Sequence, residues 1–148
     1  MLQLDTEDRD LVEGRRWHVN ATGYWQRYTH KQNGRSRYEF LHHVVLARIG
    51  ARPSARHQAD HRNGDVEDNR RSNLRWVTPS QNSWNTRGRN GTGYKGVYQL
   101  KRSPFTFTAQ IAKRYLGIYP TAEAAARAYD QAARQLGGDY ARLNFPHA

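Results

Sequence analysis

The sequence predicts an α+β protein with two small domains, and three groups of segments along the chain carry this prediction. Three aromatic-rich stretches separated by turn residues come first, at 17–19, 24–28 and 38–41. A strand, a long polar loop, a second strand and a helix follow over 56–87. Three more strand-like segments and an alanine-rich helix fill 96–136. Runs of strands followed by separate helices are typical of the α+β class.

The first group predicts an antiparallel meander that leads into a short helix. Turn residues separate its strands at 21–23 and 32–34, and the second turn contains Asn-Gly, a hairpin signal. We expect the helix over 41–49, because Gly50 and Pro53 follow it and such residues end helices.

The middle group predicts two strands joined by a long polar loop and followed by a helix. The strands are expected at Arg56–Asp60 and Leu74–Val77. Thr78 is a suitable N-cap and Pro79 a suitable first helical residue, so the helix is expected to run to about Arg87.

The last group predicts a three-stranded sheet packed on one helix. Its strands are expected at 96–100, 105–112 and 114–118. Thr121 is the expected N-cap of a helix that ends at Leu136, and the apolar residues of this helix recur at helical spacing.

A Gly-rich polar stretch divides the chain into two predicted domains. The first domain is expected over 1–88, the linker over 89–93 and the second domain over 94–148.

The charge distribution predicts nucleic acid as the partner. The chain has 24 Lys and Arg against 13 Asp and Glu, a formal net charge of +11. Residues 1–13 have a net charge of −4, residues 14–90 of +10 and residues 91–148 of +5. Two separate basic blocks favour two surfaces that face a polyanion. The basic side chains Arg70, Arg71 and Arg75 suit phosphate contact, although a solvated basic surface explains them nearly as well.

The composition excludes several other classes. The absence of cysteine excludes a disulfide framework and a Cys-ligated zinc. The acidic N-terminus is unlike a signal peptide, and no apolar run reaches the ~20 residues of a membrane helix. We therefore expect a soluble cytoplasmic protein without a membrane or small-molecule partner.

Four polar residues of the middle segment have the chemistry that phosphodiester hydrolysis needs. Asp60 and Asn82 can supply two oxygen ligands to Mg²⁺ or Mn²⁺. His61, next to Asp60 on a strand, points to the opposite face, and a neutral imidazole is suited to deprotonate a water. Asn73 closes the polar loop, where its amide can bridge backbone groups and hold His61 in orientation. Asn73 and Asn82 follow Asp60 by 13 and 22 residues.

This segment resembles the HNH (ββα-metal, or His-Me finger) endonucleases, in the branch found in phage and intron-encoded homing nucleases. The resemblance implies Asp60 and Asn82 as metal ligands, His61 as the general base and Asn73 as the structural asparagine. One departure is the pair His42-His43 where the family commonly has His-Arg, and it leaves open which histidine matters. The quoted motifs are Leu41-His42-His43, Asp60-His61, Asp68-Asn69-Arg70-Arg71-Ser72-Asn73-Leu74, Trp76-Val77-Thr78 and Asn82.

Residues 93–146 are similar to the Apetala/ethylene-responsive-factor DNA-binding domain of plant transcription factors, which also occurs on phage HNH nucleases. The resemblance implies a three-stranded sheet whose exposed face enters the DNA major groove. Tyr98 and Phe107 replace the Arg and Trp usual in plant domains, so those base contacts are not carried over; sheet packing and base contact are equally good interpretations of both. The motifs are Gly93–Tyr98, Phe107–Ile111, Tyr115–Tyr119, Thr121–Asp130 and Leu143–Pro146, and the expected DNA contacts are Tyr98, Lys101, Arg102 and Lys113.

The sequence therefore predicts a metal-dependent HNH endonuclease that acts on double-stranded DNA as a monomer or weak dimer. One catalytic centre per chain favours nicking. Two alternatives stay open at this point: a catalytically silent DNA-binding regulator that uses the C-terminal sheet, and an RNA-binding or structural protein.

Overall fold

The computed structural model describes residues 1–86, 88 and 91–146 and divides into two compact units, Met1–Pro79 and Ser80–Ala148. The fold class is α+β, as the sequence predicts. The division comes earlier in the chain than the predicted boundary after residue 88, and those domain limits stay a prediction. Part of the predicted linker, Arg89 and Asn90, lies outside the described residues.

In the first unit, a 3₁₀ helix at Thr6–Leu11 precedes the expected meander. Strands β1 (His18–Val19), β2 (Trp25–Gln32) and β3 (Arg35–Phe40) form an antiparallel sheet in that order. The turn between β2 and β3 has positive φ at both central residues, 51° at Asn33 and 75° at Gly34. Asn and Gly tolerate that conformation best, and it matches the twist of a two-residue hairpin. The Asn-Gly signal therefore identified this turn correctly.

Helix α1 (Leu41–Ile49) follows β3 directly and supplies most of the core of this unit. Leu41, Val45 and Leu46 are at most 2% exposed and cluster with Leu11 and Leu74. Gly50 caps the helix, as expected.

Strands β4 (Gln58–His61) and β5 (Leu74–Val77) form a separate antiparallel pair. Asp60 lies opposite Arg75, and His61 lies opposite Leu74. The predicted start of β4 at Arg56 is two residues too early, because Arg56 is in a turn in which its backbone N–H donates to Ser54 Oγ.

Helix α2 (Pro79–Trp84) is short and starts at the proline expected to open it. It ends three residues before the predicted end, with Asn85 in a turn where its backbone N–H donates to the carbonyl of Asn82 at 3.0 Å. The predicted last residue, Arg87, lies outside the described residues.

The second unit contains the expected sheet packed on one helix. Strands β6 (Val97–Leu100), β7 (Ser103–Ile111) and β8 (Arg114–Tyr119) are antiparallel in that order. Helix α3 (Ala122–Gly137) begins at Thr121, whose side chain accepts the N–H of Ala124. The core between sheet and helix consists mainly of small side chains: Val97, Ala109, Ala125 and Ala126.

A buried carboxylate fixes the C-terminal segment of this unit against α3. Asp130 is 2% exposed and accepts the backbone N–H groups of Asn144 and Phe145, at 2.7 and 2.8 Å. These hydrogen bonds satisfy a charge that would be costly to bury alone. Among the described residues, no helix is both long and apolar enough to cross a bilayer.

Replacement of Gly96 by alanine tests the close contact between the start of β6 and α3. Gly96 has a φ of +71°, and a Cβ there would lie 2.1 Å from the ring of Tyr129 and 2.6 Å from the carbonyl oxygen of Gln110. Gly93 has a similar φ of +77° but open space around it, so Gly93→Ala is a matched control. We expect Gly93→Ala to lower the free energy of unfolding by about 1 kcal/mol through backbone strain. Gly96→Ala should cost at least ~2 kcal/mol more through overpacking. Equal losses in chemical denaturation would show that the contact is not tight.

Candidate active site

Asp60 and His61 are adjacent on β4 and both side chains are almost fully buried, at 7% and 5% exposure. The Asp60 Oδ2 atom accepts a hydrogen bond from Arg75 Nε at 2.8 Å, across the β4–β5 pair. The Arg75 side chain is itself only 9% exposed. The carboxylate is therefore held in one orientation by a buried cation, because neither group has room to turn away.

The orientation of the His61 ring is linked to Asn69, a residue that the sequence reasoning did not single out. Asn69 is 1% exposed, and its Nδ2 atom lies 3.2 Å from each of two backbone carbonyl oxygens, those of Val66 and Glu67. Carbonyl oxygens only accept, so the Asn69 Oδ1 atom must face the other way, toward His61 Nε2 at 3.4 Å. An amide oxygen also only accepts, so Nε2 carries the proton and Nδ1 carries the lone pair of the neutral ring.

Asn73 joins the two ends of the polar loop between β4 and β5. Its Oδ1 atom accepts the backbone N–H of Asn63 at 3.0 Å, and its Nδ2 atom donates to the carbonyl oxygen of Asp68 at 2.8 Å. Its own carbonyl oxygen accepts the N–H of Arg62 at 2.8 Å. These three bonds fix the backbone that directly follows His61.

A cluster of rings covers His61 on the side of the meander. The His61 ring centroid lies 5.1 Å from that of His42 and 6.0 Å from that of Tyr24. His42 is 7% exposed and stacks on Phe40 at 5.5 Å, whereas His43 is exposed and lies 5.8 Å from the Trp76 ring. Of the two adjacent histidines, His42 is therefore the one that contacts His61.

Burial keeps the histidines of this cluster neutral. Burial, together with the neighbouring His43 and His61, lowers the pKa of His42 to about 3. Burial also lowers the pKa of His61, although the hydrogen bond to Asn69 and the charge of Asp60 oppose the shift. Both imidazoles are therefore uncharged at neutral pH.

The acidic N-terminal segment packs against the loop that contains Asn69. The backbone N–H of Asn69 donates to the carbonyl oxygen of Gln3, and the N–H of Gln3 donates to that of Glu67, both at 2.9 Å. Asp8 is fully buried and accepts two hydrogen bonds from Arg71, at 2.7 and 2.8 Å. These bonds hold the pKa of Asp8 below its usual range. The charge pattern of residues 1–13 was visible in the sequence, but its partners were not.

The three arginines expected to contact phosphates all have carboxylate partners. Arg70 pairs with Asp68 at 2.7 Å, Arg71 with Asp8, and Arg75 with Asp60. The Arg75 side chain is only 9% exposed, and its cation neutralises the buried Asp60 carboxylate. DNA contact by Arg70, Arg71 and Arg75 stays a prediction.

Asn82, the second predicted metal ligand, lies on α2, in the part of the chain assigned to the second unit. Over the residues that the structure describes, no three His, Cys, Asp or Glu side chains come together as a set of metal ligands. A closed zinc-type site is therefore absent from this described set. The donors available from Asp60 and Asn82 are hard oxygen atoms, which fit Mg²⁺ or Mn²⁺ with water as the remaining ligands.

The predicted DNA contacts of the second unit lie on its sheet face and turns. Tyr98 is 48% exposed on the face opposite α3, whereas Phe107 packs against the core between sheet and helix. Lys101 and Arg102 form the turn between β6 and β7, and Lys113 lies in the turn between β7 and β8, all exposed. Contact of these four residues with DNA stays a prediction, and Phe107 has the packing role.

The buried His42 predicts a loss of stability in mild acid. The unfolded chain protonates this ring near pH ~6.5, whereas the folded protein keeps it neutral down to about 3. The unfolded state therefore binds more protons in this interval, and the free energy of unfolding falls as the pH decreases below about 6.5. The contribution of one such group is at most about 1.4 kcal/mol per pH unit.

His42→Gln should make the decrease in the free energy of unfolding between pH 7 and 5 shallower by up to this amount per pH unit. Urea denaturation followed by tryptophan fluorescence measures this change. An unchanged slope would contradict the assignment.

Comparison with known proteins finds similarities for two separate parts of the chain. Residues 39–84 match the family model described as HNH endonuclease, and this range includes Asp60, His61, Asn73 and Asn82. A stretch of 37 residues is 51% identical to the dehydration-responsive element-binding protein 2A of Arabidopsis thaliana, and covers 25% of this chain and 11% of that protein. No solved structure gives a significant match.

Both resemblances inferred from the sequence are thus confirmed. Residues 39–84 resemble the HNH endonuclease family, and the C-terminal region resembles the Apetala/ethylene-responsive-factor DNA-binding domain.

Proposed function

We propose that this protein is a metal-dependent endonuclease that hydrolyses phosphodiester bonds of duplex DNA, of the phage or homing type. One observation carries the proposal: a neutral, oriented imidazole, His61, lies next to a buried carboxylate, Asp60, inside the segment that matches the HNH endonuclease family. A base and a carboxylate on one short strand are what metal-assisted phosphodiester hydrolysis requires.

His61 acts as the general base. A neutral ring has a lone pair for the proton of the attacking water, and the hydrogen bond between Nε2 and Asn69 assigns that lone pair to Nδ1. Burial lowers the pKa of His61, which keeps the ring neutral at physiological pH. Asn73 acts through the backbone that follows His61 and is a positioning residue.

Asp60 and Asn82 would hold the metal ion. When bound, Mg²⁺ or Mn²⁺ neutralises charge on the scissile phosphate and on the leaving oxygen. Arg75 keeps the Asp60 carboxylate in a fixed orientation through its 2.8 Å hydrogen bond. A ligand fixed in this way loses little conformational entropy when the ion binds.

The C-terminal region supplies DNA affinity to the nuclease. Its similarity to a plant DNA-binding protein, and the exposed Tyr98, Lys101, Arg102 and Lys113 on its sheet and turns, support a role in docking on DNA. Linking it to the nuclease raises the effective concentration of the active site near its substrate. One His61 per chain makes nicking the expected reaction of a monomer.

Relaxation of supercoiled plasmid tests the proposed activity. We expect nicking with Mg²⁺ or Mn²⁺, none with EDTA, and a loss of about 10²–10⁴-fold in His61→Ala, the usual contribution of a general base. The matched control is His57→Ala, which removes a histidine that hydrogen-bonds to Ser54 and is not part of the ring cluster. Intact DNA binding without cleavage by the wild-type protein would reject the enzyme and leave a DNA-binding protein.

The role of Asn69 is tested by the tautomer of His61, which NMR reads without any cleavage. In two-bond ¹⁵N–¹H spectra the wild-type ring should show a protonated Nε2, and Asn69→Ala should shift the ring toward a mixture of tautomers. Loss of such an orienting partner typically lowers activity by about 10- to 100-fold. A ring that stays in the Nε2–H form in the variant would show that another group sets the tautomer.

A further inference from the structure

We propose that the two-stranded ribbon formed by residues 28–38 is a DNA-binding element that inserts into the major groove of the duplex. The proposal rests on the proposed function in one respect, since it takes the nuclease substrate as the duplex that the ribbon holds. The ribbon lies outside the residues that match the HNH family, which begin at 39. We refer to it below as the β2–β3 ribbon.

The β2–β3 ribbon is exposed on both faces. Strand β1 pairs only with Trp25 and Gln26 of β2, so the sheet has two strands beyond that point. The last five residues of β2 and the first four of β3 are all exposed. An isolated two-stranded hairpin is only marginally stable in water, so a partner on its faces would stabilise it.

The cations of the ribbon differ from the arginines that pack around the β4–β5 pair and helix α1. Arg48, Arg71 and Arg75 all pair with carboxylates. None of the ion pairs within the described part of the chain involves Lys31 or Arg35, or Arg37 of the same ribbon. Cations outside such ion pairs attract phosphates more strongly than paired ones, so the ribbon is a better candidate for contact with a polyanion than Arg48, Arg71 or Arg75.

Aromatic rings connect the ribbon with the active site. Tyr28 and Tyr38 are directly opposite each other, 51% and 46% exposed, with ring centroids 6.0 Å apart. Phe40, two residues after Tyr38 and therefore on the same face of β3, stacks on His42, which contacts His61. A duplex held along this face lies directly beside the general base.

The dimensions of the ribbon fit the major groove. Two strands lie about 4.8 Å apart, and the major groove is about 12 Å wide, enough for a two-stranded ribbon with its side chains. By strand alternation, Lys31 and Ser36 lie on the face of Tyr38, and Arg35 and Arg37 on the other. Cations on both faces suit a groove that has phosphates along both walls.

The salt dependence of duplex binding tests the proposal. Binding to a short DNA duplex is measured in EDTA over a range of NaCl concentrations, so that no cleavage is needed. The test variant is Lys31→Gln/Arg35→Gln, and the matched control is Arg9→Gln/Arg56→Gln, which removes the same charge from two exposed positions outside the ribbon. We expect the slope of log K against log salt to decrease in magnitude by about 2 in the test variant, close to 0.9 for each phosphate that the protein no longer neutralises, and to stay unchanged in the control.

A second variant and a second probe separate the possible results. Lys31→Arg/Arg35→Lys keeps both charges and should restore the wild-type slope. Methylation of guanine N7, which lies in the major groove, should weaken wild-type binding more than binding of the test variant. Equal slopes in test and control variants would overturn the proposal, as would a loss of RNA binding with duplex binding intact. Absence of plasmid nicking together with the expected slopes would reject the nuclease alone and leave the ribbon as a DNA-binding element.

Discussion

Buried hydrogen bonds, rather than apolar packing, hold the loop between β4 and β5, and the geometry of the candidate site depends on them. Asp68, Asn69 and Asn73 are each at most 7% exposed, and their side chains all have hydrogen-bond partners. A buried amide or carboxylate without partners costs several kcal/mol, so this loop has few alternative conformations of similar energy. The position of His61 is restricted in the same way, because the loop begins directly after this residue and Asn69 of the loop hydrogen-bonds to its ring.

The N-terminal segment completes this network from a distant part of the sequence. Gln3 forms backbone hydrogen bonds on both sides of Asp68, and the fully buried Asp8 joins Arg71 of the loop to Arg48 of α1. Buried ion pairs stabilise little in net terms, but removing one partner is strongly destabilising. The acidic residues at the start of the chain therefore support the candidate site, although the HNH family match begins only at residue 39.

Some cations of the first unit are neutralised by carboxylates of the fold, and others are not. Arg70, Arg71 and Arg75 pair with carboxylates of the fold, whereas Lys31, Arg35 and Arg37 of the β2–β3 ribbon are exposed and take part in none of these ion pairs. The net charge of +11 alone does not make this distinction. The positions of the ion pairs of Arg70, Arg71 and Arg75 make it.

The sequence by itself determined the elements and the class of the site. The Asn-Gly turn, Gly50 after α1 and Thr121 before α3 are local signals, and each acted where it was expected, because backbone conformation at a turn or cap depends on one or two residues. Only the tertiary structure decided that Asn69 orients His61, that His42 rather than His43 contacts it, and that Arg75 serves Asp60. These contacts join residues whose relative positions depend on strand register and on the packing of the N-terminal segment. Such positions depend on the total free energy of many weak interactions across the fold. A local sequence pattern therefore does not predict them.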